Sequence, residues 1–65
     1  MQRGTIKKWF PERGFGFAKP DREYHDVFVH VNEITEGLPR VGAVIEFKMG
    51  EHKRRPYAKN VKVIQ

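Results

Sequence analysis

Two stretches of this chain constrain its fold more than any other feature. Gly14-Phe15-Gly16-Phe17-Ala18 and Val27-Phe28-Val29-His30 both alternate a ring with a small or aliphatic side chain, residue by residue. A period of two is the signature of a β-strand, whose successive side chains point to opposite faces. Three further runs read the same way between turn residues. They are Arg3 to Phe10, with Thr5, Lys7 and Trp9 on one face and Ile6 on the other; Ala43 to Met49; and Tyr57 to Ile64, with Ala58, Val61 and Val63 as interior candidates. The two ring-bearing runs extend over Gly14 to Lys19 and Asp26 to Val31, and in the second Val31 falls in phase with Val27 and Val29. Pro11 ends or bends the first run, Pro20-Asp21 opens a polar loop, and Thr35 to Pro39 reads as a turn. No amphipathic helical period lasts three turns. Five short strands in 65 residues predict an all-β, five-stranded antiparallel barrel, because closure removes vulnerable edges.

The phase of the alternation decides which side chains meet solvent. Cores are normally aliphatic, and Val27 and Val29 suit that role. If the valines face inward, Phe28 and His30 face outward. The same logic puts Gly14, Gly16 and Ala18 inside and Phe15 and Phe17 outside, with Trp9 a candidate to join them. An exterior patch of aromatic rings calls for a partner. Nucleobases are suited to it, since stacking a base on an aromatic ring contributes about 1–3 kcal/mol. The bases of a duplex are already stacked on one another, so the patch should prefer unpaired strands.

Charge points the same way. The net charge is +5, unevenly spread. Residues 1–19 hold five Lys or Arg against one Glu, residues 20–47 hold two against six acidic residues, and residues 48–65 hold six against one. Basic ends brought together by the fold would make a face attractive to phosphates. Charge alone is equally compatible with a role in solubility. Lys7, Lys8, Arg13, Lys19, Lys53, Arg54, Arg55 and Lys59 are the available cations.

The residues that carry this argument resemble the cold-shock domain family. Arg13-Gly14-Phe15-Gly16-Phe17-Ala18 is similar to its first ribonucleoprotein motif, and Asp26-Val27-Phe28-Val29-His30 to its second. Gly4-Thr5-Ile6-Lys7-Lys8-Trp9-Phe10 resembles its first strand, and Pro56-Tyr57-Ala58-Lys59-Asn60-Val61 its last. The resemblance spans nearly the whole chain, in order. It implies a barrel of the oligonucleotide-binding (OB-fold) type that binds single-stranded RNA and DNA with weak sequence preference, in many members as an RNA chaperone. Carried over by motif, Phe15, Phe17, Phe28, His30 and Trp9 would stack on bases, and Lys7 and Arg13 would contact backbone or base edges. Four departures stand out. An extra Lys precedes Trp9, which leaves open whether Trp9 keeps its place or takes that of a neighbouring family aromatic. Val31 stands where many members carry a stacking Phe. The loop from Thr35 to Arg40 is short and lacks a common aromatic, and with Val31 this predicts weaker binding or a shorter site. The turn at Lys53-Arg54-Arg55 is basic where many bacterial members are acidic, which would add phosphate contacts at Arg54 and Arg55, with Tyr57 as a further stacking surface.

Other chemistry finds little support. The chain has no Ser or Cys nucleophile, and Thr5 and Thr35 lack a visible base and orienting group. Position 19 is Lys, so Gly14-x-Gly16 is no dinucleotide fingerprint. His25, His30 and His52 lack metal-ligand spacing. Asp26 caps its loop or accepts a hydrogen bond from a base, with the cap favoured. The expected protein is therefore a single domain over residues 1–65, soluble and cytoplasmic, with no enzyme activity, cofactor, metal, membrane span or small-molecule substrate. Its expected partner is single-stranded RNA or DNA. A monomer is expected, and a strand-exchanged dimer stays open. The rival reading is a barrel whose aromatic patch holds a protein partner.

Overall fold

The computed structural model describes residues 1–22, 25–52 and 55–65. Strand β1 (Gln2–Phe10) leads into β2 (Phe15–Pro20) and β3 (Val27–His30). A 3-10 turn (Val31–Glu33) and the short β4 (Ile34–Glu36) follow, then β5 (Val44–His52) and β6 (Arg55–Val63). The sheet runs β3-β2-β1-β5-β6, and a parallel bridge between Phe28 and Tyr57 joins β3 to β6 and closes the ring. Five strands thus make the expected all-β barrel of the OB-fold type. The described residues contain no α-helix, and none of their helices is long and apolar enough to cross a membrane.

The core holds the expected aliphatic residues. Ile6, Ala18, Val27, Val29, Ala43, Ile45, Phe47, Ala58 and Val61 are buried together. On β2 and β3 the alternation is unbroken, with Gly16 opposite Val29 and Phe17 opposite Phe28. Val27 and Val29 have no exposed surface, whereas Phe15, Phe17, Phe28 and His30 are half-buried. The valines fill the barrel and the rings lie over its outside.

Three sequence expectations are corrected. First, β1 carries a β-bulge. Ile6 pairs with Ala18 and Lys8 with Phe17, leaving Lys7 as the extra residue. A bulge inverts the phase of everything beyond it, so Thr5, Lys7 and Trp9 do not share an outer face. Trp9 instead pairs with Gly16 and packs, half-buried, against the core. Gly16 is needed there, because a Cβ would lie 2.6 Å from Trp9 Cε3. Second, Val31 leaves the inward phase. It begins the 3-10 turn and is 44% exposed. Its N–H donates to the Gly14 carbonyl at 2.8 Å, and Gly14 adopts φ +72°, which glycine tolerates best. Third, part of the presumed turn from Thr35 to Pro39 is the strand β4, which runs parallel to β6, and the Thr35 hydroxyl donates to the Val61 carbonyl at 3.1 Å.

A second bulge lets β6 bury both Ala58 and Val61. Two residues of β6, Asn60 and Val61, face the single residue Phe47 between the pairs Glu46–Lys62 and Lys48–Lys59. Asn60 absorbs the turn with φ +50°, a conformation Asn accepts more readily than most residues.

Candidate nucleic-acid interface

Four adjacent strands build one aromatic surface. Cross-strand pairing sets Phe10 opposite Phe15 on β1 and β2, Phe15 opposite His30 and Phe17 opposite Phe28 on β2 and β3, and Phe28 opposite Tyr57 on β6. Opposite residues in a sheet point to the same face, so all these rings lie on the barrel exterior. They also touch. Centroids are 5.4 Å apart for Phe10–Phe15 and Phe15–Phe28, 5.8 Å for Phe17–Phe28, 6.1 Å for Phe28–His30 and 6.4 Å for Phe15–Phe17. The pairs are tilted or edge-to-face, the arrangements that ring quadrupoles favour. Mutual contact holds each ring in place and leaves part of it open to a ligand.

The rings floor a groove of about 1090 Å³. Its walls include Phe15, Phe17, Phe28, His30, Arg55 and Tyr57, six of the ten residues expected at the site, together with Asp26, Asn32, Glu33 and Pro56. The volume lies at the upper end of the range for small-molecule clefts, about 300–1,000 Å³, and the groove runs across strands. Lys7, Trp9 and Arg13 do not line it. Lys7 is exposed at the β1 bulge and Arg13 in the turn after β1, so both flank the rings as cations. Arg54, like Lys53, lies outside the described residues.

His30 is held by a specific contact. Its Nδ1 accepts a hydrogen bond from the Asn32 N–H at 3.1 Å, which caps the 3-10 turn. With Nδ1 as acceptor, the neutral imidazole carries its proton on Nε2, away from its own backbone. His30 therefore offers the groove a ring face and one N–H donor. Asp26 is exposed on the groove wall, and its carboxylate makes no hydrogen bond to a described residue, so no loop cap is formed there.

Sequence reasoning missed two features. Phe10, 41% exposed and 5.4 Å from Phe15, extends the patch onto β1. Lys8 stands directly opposite Phe17, where Lys7 had been expected to serve. Both follow from one inserted residue. The doubled Lys7-Lys8 before Trp9 was the available signal, because one residue too many in a paired strand implies a bulge and a change of phase beyond it.

A model of the 'cold-shock' DNA-binding domain matches residues 2–64. The chain belongs to the cold-shock domain family. Cold-shock domain proteins aligned with nearly its full length include a cold shock protein of Arthrobacter globiformis, 37% identical over 98% of this chain and 100% of that protein. Cold shock protein CspA of Staphylococcus saprophyticus is 42% identical over 94% of this chain and 96% of that protein. A cold shock-like protein of Thermotoga maritima is 41% identical over 97% and 98% respectively. Among solved structures, drosophila Unr CSD456 superposes with a TM-score of 0.81 at 24% identity, over 98% of this chain and 26% of that one, a likeness of fold. Membership in the family makes this cold-shock domain a nucleic-acid-binding barrel.

Proposed function

We propose that this cold-shock domain binds single-stranded RNA or DNA by stacking unpaired bases on Phe15, Phe17 and Phe28, with His30, Tyr57 and Phe10 extending the platform. The single observation that supports this most is the set of mutually touching rings on the outside of the barrel. Burying such rings in the core would have been the ordinary outcome; here valines occupy the core instead. Lys7, Lys8, Arg13, Arg54 and Arg55 supply salt-dependent attraction for the phosphates. Trp9 acts from behind the patch, steadying β1 against Gly16. By holding unpaired strands the protein shifts RNA folding equilibria by mass action. That is the action of a cytoplasmic RNA chaperone or a regulator of transcription or translation, and it involves no bond-making chemistry.

Fluorescence anisotropy of labelled single-stranded and duplex oligonucleotides at two salt concentrations tests the reading. Preference for the single strand, weakening steeply with salt, is expected. Equal binding of duplex would overturn base stacking. Failure to bind either, with salt-insensitive capture of a protein by the same patch, would favour the protein-interaction alternative.

A further inference from the structure

The groove of a cationic protein contains carboxylates, and one of them is placed where charge attraction to phosphate cannot explain it. Glu33, half-buried in the 3-10 turn after β3, lines the groove with His30, Phe28 and Tyr57. Its Oε1 accepts a hydrogen bond from the Asn60 N–H at 3.4 Å, across to the β6 bulge. Among the described residues no Lys or Arg forms an ion pair with it, although Arg55 lines the same groove. A carboxylate in this position repels a phosphate backbone. It attracts hydrogen-bond donors, and an ionised carboxylate can only accept. The donors that a stacked base presents along its edge are the exocyclic amino groups of cytosine, adenine and guanine. Uracil and thymine present the O4 carbonyl at the corresponding place, which opposes the charge.

We propose that Glu33 is a base-edge reader. Resting on the stacking reading above, it biases one subsite of the groove toward a base bearing an amino group and against uracil or thymine. The Oε1–Asn60 hydrogen bond orients the carboxylate, and the remaining oxygen, Oε2, accepts from the amino group. Specificity at this subsite then comes from hydrogen bonding, while the rings next to it stay indifferent to sequence.

Glu33→Gln gives a sharp test because the two functions of the side chain separate. The glutamine Oε1 can still accept from the Asn60 N–H, so the link to β6 survives. Its other terminal atom becomes an NH2 donor, which suits the thymine O4 and opposes the cytosine amino group. Affinities of wild type, Glu33→Gln and Glu33→Ala for hexameric oligodeoxycytidine and oligodeoxythymidine are to be measured at one salt concentration, with melting temperatures alongside. Wild type should prefer the cytidine hexamer. In Glu33→Gln the cytidine-to-thymidine affinity ratio should fall about five-fold or more, the lower end for loss of a base-edge contact, at an unchanged melting temperature. A ratio equal to wild type in both variants, whatever happens to the melting temperature, would overturn the proposal and leave Glu33 a structural tie between the 3-10 turn and β6. Wild type that binds neither hexamer would instead sink the stacking reading on which it rests.

Discussion

The β2–β3 face and the β5–β6 half of this barrel use the same residue type for opposite purposes. Phe47 on β5 lies wholly within the core, between the outward Glu46 and Lys48. Phe15, Phe17 and Phe28 on β2 and β3 lie outside it, between Gly16, Ala18, Val27 and Val29. Neither hydrophobicity nor strand propensity differs between these phenylalanines. What differs is the alternate residue. Where the alternate positions are charged, the ring is the only group able to fill the interior, and it goes in. Where they are small or aliphatic, they fill the interior and the ring is released to the surface. Exposing rings leaves apolar area in water, at about 25 cal/mol per Å², and base stacking would recover that area on binding.

The comparison can be broken most severely at Phe47. Phe47→Ala should lose about 3–5 kcal/mol of stability, as for other buried rings, which in a 65-residue domain is a large share of the total. Denaturant unfolding followed by circular dichroism reads this directly. A loss below about 1 kcal/mol would show that the β5 ring does not hold the core.

Phe28→Ala should show the reverse pattern. Its oligonucleotide affinity should fall by about 1–3 kcal/mol, while stability should fall by only about 1 kcal/mol from lost ring contacts. Unfolding on the scale of Phe47→Ala, or unchanged affinity in a folded variant, would contradict the outward assignment. Phe10→Ala sharpens the boundary of the patch. Phe10 touches only Phe15 among the rings, so its loss should cost about 1 kcal/mol of affinity, at the lower end for stacking; a cost matching Phe28 would move the centre of the site toward β1. Arg55→Ala should have the smallest effect at a single salt concentration. It should flatten the dependence of log affinity on log salt by about 0.7 if one phosphate contact is lost on a single strand, and an unchanged slope would remove Arg55 from the phosphate path.

The parts of this design visible in the sequence are those where pairing runs without interruption. Between Ala18 and Phe15 each residue of β2 meets one residue of β3, so a simple period of two gives the faces of Phe15, Phe17, Phe28 and His30 correctly. On β1 the same rule fails after Ile6, because the extra Lys7 shifts every later side chain to the other face. Trp9 is thereby turned toward Gly16 and Phe10 toward Phe15. Strand β4 was hidden for a different reason. Its three residues pair in parallel with β6 through the backbone, and a segment so short in a Gly- and Pro-containing stretch carries no readable period. Glu33 was equally silent, since its place in the groove depends on a 3-10 turn that brings residues 31–33 back beside the rings. Charge patterning indicated a basic surface without locating it, because the location depends on how β6 returns beside β3.

The most direct measurement is a ¹H–¹³C NMR titration of the phenylalanine rings with a single-stranded hexamer. The ring signals of Phe15, Phe17 and Phe28 should shift progressively under the ring currents of stacked bases, while those of Phe47 stay in place. Shifts at Phe47 as large as those on β2 and β3, or silent surface rings under saturating ligand, would contradict a binding platform built on the outside of a valine-filled barrel.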